Sequence, residues 1–327
     1  MLFAADRMAR GELAPMTPGH GSCSPGRPSG ASPAPLPLFV LGTPRSGTTW
    51  LANLLISHPD IVGLAAAEHF GIHESHLLDH TRYALAGDMS CDAFVDRYRT
   101  EDYFVLAGVS REDLVAASPA RGDAVAFFAV LMETVARRTG ARYWLEKTPK
   151  HAIYSDVLVE RFPSARFVII TRSFVNTMGS QLAKFSNPRA RWLRQRLEKA
   201  FRYEADLRAI RRLRKRLPDR VVSVTYENLL RDPVVQTDRV LQFLGLPERP
   251  LRSAYPPDSS EASPTARSAL SWRDRAALTM GRAAWRLVPF VALRLLTEQR
   301  DRREAQTFPK YQRLATGGQH RETHRSI

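Results

Sequence analysis

The chain is poor in cysteine and lysine and has no long apolar run. Two cysteines, Cys23 and Cys91, among 327 residues exclude a disulfide scaffold and a cysteine-built zinc site. They fit a reducing, cytoplasmic compartment. No stretch of about 18 apolar residues is present to span a bilayer. The opening Met1-Leu2-Phe3-Ala4-Ala5-Asp6 lacks the charged and apolar regions of a secretory signal. Lysine is scarce, six against 42 arginines, a bias that a GC-rich genome would produce by itself. Charge is abundant: 48 basic against 33 acidic residues give a formal +15. The excess is local. Residues 189–220 hold 13 basic and 4 acidic residues, residues 265–327 hold 13 and 5, and the remainder is near neutral. Such a balance suits an anionic partner, but does not say whether that is nucleic acid, a membrane or a phosphate compound.

Residues 1–37 contain seven prolines and five glycines and read as a disordered tail. A folded domain is expected over 38–300, and a charged, frayed tail over 301–327. Leu38-Phe39-Val40-Leu41 is a short apolar run closed by Gly42, the pattern of a strand covered on both faces. Thr48–Ser57 reads as a helix. Residues 141–145, 166–170 and 221–224 read as further strands, each separated from the next by helical sequence. The class that follows is α/β: a three-layer sandwich with a mostly parallel sheet and helices on both faces. Residues 70–140 read as a mostly helical insert. At its start His69, His73, His76 and His80 fall at i, i+4, i+7 and i+11, one face of a helix if the segment is helical. That face is either a zinc site with Glu68 and Asp79 or a titratable wall.

The strongest motif is Gly42-Thr43-Pro44-Arg45-Ser46-Gly47-Thr48-Thr49-Trp50, between a strand and a helix. There the backbone N–H groups and the positive helix end face an anion, and the glycines allow its close approach. The spacing is that of a P-loop, except that Thr48 stands where the lysine belongs. Hydrolysis of ATP or GTP, which needs that lysine, is therefore disfavoured, and Arg45 supplies a charge inside the loop.

The segment Pro44-Arg45-Ser46-Gly47-Thr48-Thr49-Trp50-Leu51 resembles the 5′-phosphosulfate loop of sulfotransferases that use 3′-phosphoadenosine 5′-phosphosulfate (PAPS). It has the arginine form of the protein-tyrosine and many bacterial members. Arg166-Phe167-Val168-Ile169-Ile170-Thr171-Arg172, with Ser180 eight residues on, is similar to the family's 3′-phosphate site. Tyr226-Glu227-Asn228-Leu229-Leu230-Arg231-Asp232-Pro233 resembles the next block. The likeness runs from about 38 to 275. It implies a P-loop-like fold and transfer of a sulfonyl group from PAPS, as co-substrate, to a hydroxyl acceptor.

The same resemblance implies roles. Arg45, Ser46, Gly47, Thr48, Thr49 and Trp50 would cradle the 5′-phosphosulfate. Arg172 and Ser180 would hold the 3′-phosphate, and Tyr226 the adenine. Lys147, one of few lysines, would meet the sulfonyl group. Glu68 matches the general base of the protein-tyrosine and heparan enzymes, with His151 and His69 as rivals. Arg267 and Arg273 stand where the family closes a basic loop on the nucleotide, although its R-K-G run is absent. The reaction needs no metal. Tyr83, Tyr98, Tyr103, Phe104, Phe127 and Phe128 in the insert suit either a partly apolar acceptor pocket or the core. The acceptor implied is a carbohydrate, a lipid or a small natural product. Other readings are a P-loop small-molecule kinase and a non-catalytic nucleotide- or polyanion-binding protein. The basic run 189–217 has helical apolar spacing and no nucleic-acid module, so nucleic acid is not expected. Residues 283–296 read as an amphipathic helix packed on the domain or touching a membrane peripherally.

Overall fold

A computed structural model describes residues 33–67, 70–99, 102–185, 191–255 and 270–316, and Ala34–Ile327 forms one compact unit. Its centre is a five-stranded, all-parallel sheet in the order β2-β5-β1-β6-β7. The strands are β1 (Leu36–Gly42), β2 (Ile61–Val62), β5 (Tyr143–Glu146), β6 (Arg166–Thr171) and β7 (Val221–Thr225). Successive side chains of a strand point to opposite faces. Phe39, Leu41, Trp144, Phe167 and Ile169 accordingly join one apolar cluster, while Leu38, Val40, Leu145, Val168 and Ile170 join the other. Both faces are covered, so the strands carry no polar alternation, and this is why they were legible as apolar runs. The expected α/β class and parallel sheet are present.

Helix α1 (Thr48–Leu55) follows β1, and a small antiparallel hairpin, β3 (Ala65–Ala66) with β4 (Gly71–Ile72), follows β2. Asn53 of α1 fastens the hairpin: its Nδ2 donates to Phe70 O at 2.9 Å and its Oδ1 accepts from Ile72 N at 2.8 Å. Gly71, at φ +104°, lets the backbone pass over that side chain, because a Cβ there would meet Asn53 at 2.2 Å. Helices α2 (His80–Ala84), α3 (Cys91–Tyr98), α4 (Asp102–Ala107), α5 (Arg111–Ala117) and α6 (Ala124–Thr139) complete the insert. Tyr98, Tyr103, Phe127 and Phe128 are fully buried in one apolar cluster with Trp144. Their role is the core.

Helix α7 (Ser155–Arg161) precedes β6, and α8 (Phe174–Phe185) and the long α9 (Trp192–Arg216) follow it. After β7 come α10 (Tyr226–Arg231) and α11 (Pro233–Leu244), and the described chain closes with α12 (Trp272–Leu287), α13 (Phe290–Thr307) and α14 (Pro309–Thr316). Over residues 301–316 the last two replace the frayed tail that was expected. Asp301, Ala305 and Leu314 are buried, Tyr154 OH donates to Asp301 Oδ2 at 2.5 Å, and the Tyr311 ring lies 4.3 Å from His80. Charge density along the sequence hid this apolar and aromatic face. The histidine face is a second correction: residues 73–76 are not helical and α2 begins only at His80. Residues 1–32 and 317–327 lie outside the described residues.

Candidate active site

The site grows from the carboxyl ends of three adjacent strands. Between β1 and α1 the chain turns with Ser46 N donating to Thr43 O at 3.0 Å. Gly42 leaves room for that turn, since a Cβ would lie 2.6 Å from both Ile170 O and Ser46 Oγ. Arg45 takes φ 72° and Gly47 φ 97°, two left-handed residues in three. A Cβ on Gly47 would also meet the Tyr226 ring at 2.5 Å. No side chain caps α1, so its first N–H groups are left to the loop interior. Ser46 is fully buried, with no hydrogen-bond partner for Oγ among the described residues. Fixed donors, a helix start and a buried hydroxyl make an anion cradle.

Lys147 follows β5 and is only 1% exposed. Its Nζ donates to Thr49 Oγ1 at 3.1 Å and to Glu74 Oε1 at 2.7 Å. Glu74 lies just beyond the hairpin and carries no motif, so sequence reasoning passed over it. Burial works to raise its pKa, but Lys147, then His76, outweigh that and hold the carboxyl below the usual value.

Arg172 follows β6 and is buried, with Nη1 donating to Arg45 O at 3.3 Å and the guanidinium 4.2 Å above the Tyr226 ring. Arg45 Nε donates to Ser180 Oγ of α8 at 3.1 Å. Trp50 meets Tyr226 edge-on at 5.9 Å. The fold thus gathers Arg45, Ser46, Gly47, Thr48, Thr49, Trp50, Lys147, Arg172, Ser180 and Tyr226 around the strand ends. Arg45, Gly47, Thr48, Thr49, Trp50, Lys147 and Tyr226 border a cavity of about 1270 Å³, while Ser46, Arg172 and Ser180 stand behind that wall. Phe70, Tyr255 and Phe185 give it apolar surface, and four of the chain's six lysines, Lys147, Lys150, Lys184 and Lys199, line it.

Other expected residues are not among these. Glu68, His69 and Arg267 lie outside the described residues. Arg273 is exposed over Trp272, 5.5 Å from its ring centre, and does not line the cavity. His151 is fully buried and also lines no part of it. Its Nε2 accepts from Leu78 N at 3.0 Å, so the ring proton is on Nδ1 and is donated to Glu146 Oε2 at 3.0 Å. Ser75 Oγ and Thr148 Oγ1 donate to Oε1 of the same carboxylate at 2.7 and 2.6 Å. Burial raises the Glu146 pKa, but His151 and the two hydroxyls bring it down to about 2. Both ring nitrogens of His151 are committed to holding the chain together.

Beside the cavity His76 Nδ1 lies 2.9 Å from Asp79 Oδ2, and His80 Nδ1 lies 2.8 Å from Glu304 Oε2. The triads His76/Asp79/His80 and His80/Asp301/Glu304 have ligand-type atoms within 4.8 Å of one another. The Lys150 ammonium sits among them, 3.7 Å from Asp79 and 3.3 Å from Glu304, and supplies positive charge to both carboxylates.

The chain is similar to several known proteins. Over 148 residues the chain is 30% identical to the nodulation protein NoeE of Sinorhizobium fredii, a match covering 43% of this chain and 30% of that protein. The sulfotransferase domain from the curacin biosynthetic pathway is similar over 81% of this chain and 97% of its own, at 18% identity and a TM-score of 0.46. The sulfotransferase STF9 of Mycobacterium avium is similar over 85% of this chain and 78% of its own, at 17% identity and a TM-score of 0.42. Residues 37–250, more than half of the chain and all of the strands just described except the first residue of β1, match the model of the sulfotransferase family, and the protein belongs to that family.

Proposed function

We propose that this chain moves the sulfonyl group of PAPS to a hydroxyl acceptor. One juxtaposition supports the reading above all: Lys147 Nζ is 3.1 Å from Thr49 Oγ1 of the anion cradle and 2.7 Å from Glu74 Oε1. A cation for the donor and a carboxylate for the acceptor proton therefore meet in one cavity. In this reading the loop 43–50 holds the 5′-phosphosulfate, Arg172 and Ser180 hold the 3′-phosphate, and Tyr226 and Trp50 border the adenine.

The acceptor oxygen attacks sulfur in line with the bridging oxygen. The new O–S bond forms as the bond to the bridging oxygen breaks, and that electron pair stays on the 5′-phosphate of the product, adenosine 3′,5′-bisphosphate. The acceptor proton passes to a carboxylate. Charge gathers on the sulfonyl oxygens and the leaving phosphate, where Lys147 and Arg45 offset it. Two carboxylates compete for the proton: Glu68 on the family resemblance and Glu74 on geometry. We assign it to Glu74, whose Oε1 is hydrogen-bonded to the lysine that would contact the sulfonyl group. No part is left for Arg273, His151 or a metal.

The acceptor is a carbohydrate, a lipid or a small natural product, and the cytoplasm is the setting that the cysteine content suits. A P-loop kinase is the weaker alternative because Thr48 replaces its lysine. Transfer from labelled PAPS across carbohydrate, lipid and phenol acceptors tests the reaction. Calorimetry with adenosine 3′,5′-bisphosphate tests the nucleotide site by itself, and failure to bind it would end the proposal.

A further inference from the structure

The charge excess of the sequence has no part in the chemistry above, and the fold brings its two segments together. Helix α12 packs along α9. Gly281 abuts Leu197, where a Cβ would come within 2.8 Å of Cδ2, and Trp285 Nε1 donates to Leu197 O at 3.1 Å. At the far end of the pair, Arg208 Nη1 donates to Val288 O at 2.5 Å, and Arg212 lies 4.9 Å over the Phe290 ring. The turn from α12 to α13 is therefore seated against the carboxyl half of α9.

That corner is apolar and open. Leu287 is 86% exposed, Val291 68% and Met280 66%, and Leu295 is exposed beyond them. The spacing 280 and 287 puts two of them on one face of α12, and 291 and 295 puts the other two on one face of α13. On the carboxyl half of α9, Arg211, Arg214 and Lys215 are exposed. Neither Leu207–Leu217 nor Arg275–Thr297 contains an acidic residue, while together they hold ten basic ones. Of the acids near these helices, Glu204 is buried beneath Arg282 and Arg286 at 3.3 and 3.5 Å, and Glu298 and Asp156 are paired with Arg294 at 2.9 and 2.8 Å.

We propose that this corner seats the protein on an anionic lipid surface, with Leu287 and Val291 entering the acyl boundary and the basic face of α9 against the headgroups. Exposed apolar side chains flanked by an excess of cations are the pattern of an interfacial element. A second copy of the chain suits it less well, because a two-fold contact would set the two arginine faces together. Nucleic acid would use the cations and leave the apolar ridge in water. No helix of the described residues is long and apolar enough to cross a membrane, so the contact is peripheral. Helix α13 runs from this corner to the cavity, where Arg300 lines the wall, so a docked protein would hold its cavity at a fixed attitude to the lipid.

The test is sedimentation of the full chain with phosphatidylcholine vesicles, with or without about 30% phosphatidylglycerol, at low and high salt. Binding is expected only to the anionic vesicles, weakening as salt rises. The pair Leu287→Glu with Val291→Glu, and separately Arg211→Gln with Arg214→Gln and Lys215→Gln, should each lower the bound fraction about tenfold or more. All five side chains are exposed, and an unchanged melting temperature and nucleotide affinity would show that the fold is intact. Equal binding to neutral vesicles, no binding to either, or full binding by the Leu287/Val291 variant would overturn the proposal. So would a concentration-dependent dimer that the same variant abolishes.

Discussion

Arg45 Nε and Ser180 Oγ share a 3.1 Å hydrogen bond that joins the loop after β1 to helix α8, across 135 residues of sequence. If Arg45 serves the phosphosulfate and Ser180 the 3′-phosphate, the two anion sites are mechanically one. Arg45→Ala should then weaken adenosine 3′,5′-bisphosphate by about 10- to 100-fold, the worth of a charge-assisted hydrogen bond. Ser180→Ala should cost about fivefold. Calorimetric titration reads both, and unchanged affinity in the arginine variant would contradict the assignment.

Lys147 belongs to the reacting group in this reading rather than to the nucleotide. Lys147→Ala should lower kcat by about 10²- to 10³-fold while changing nucleotide affinity far less. Arginine should not restore the rate, because a planar fork does not fit a fully buried site shaped around a compact ammonium. A parallel fall in nucleotide affinity would instead make the lysine part of the donor site.

The two candidate bases separate kinetically. Glu74→Gln should reduce kcat by about 10²-fold or more, and Glu68→Gln by much less. The reverse ranking would return the base to Glu68 and leave Glu74 as the tether of Lys147. Because the Glu74 pKa is lowered, the acid limb of the pH–rate profile should fall below the ordinary glutamate range and shift when Lys147 is removed.

Gly47→Ala combines two conflicts, a left-handed φ of 97° and a Cβ placed 2.5 Å from the Tyr226 ring. A loss of about 1–3 kcal/mol is expected, seen as a lower melting temperature, together with weaker nucleotide binding as the loop shifts.

Glu146→Gln should destabilise the fold by about 3 kcal/mol, because it breaks a fully buried carboxylate network. The folded pKa is lowered to about 2 from 4.5, so the wild-type contribution is full above pH 4.5 and is lost as pH falls toward 2. Acid unfolding of the variant should be correspondingly flatter over that window.

The parts legible in the sequence share one property: local pattern and tertiary environment agreed. Leu38–Leu41 and Phe167–Ile170 are buried on both sides and read as strands from composition alone. The loop 42–49 announced itself because its backbone demands glycine at 42 and 47. Glu74 did not, because its place depends on Asn53 holding the hairpin and on Lys147 arriving from 73 residues away. The histidine spacing misled for the same reason. His76 takes φ 51° and so breaks the helix that would have aligned it with His73, yet it still stacks on His80 at 5.3 Å. Contacts made through an irregular segment leave no period to read.

The strand order has a consequence for durability. The loop 43–47, Lys147 and Arg172 follow β1, β5 and β6, and β1 lies between the other two with both edges paired. Their spacing is set by main-chain ladders in the most protected part of the sheet. Amide hydrogens of β1 should exchange with solvent only when the whole unit opens. Activity and native fluorescence should therefore disappear together on a denaturant scale, with the site failing as a consequence of unfolding and not ahead of it.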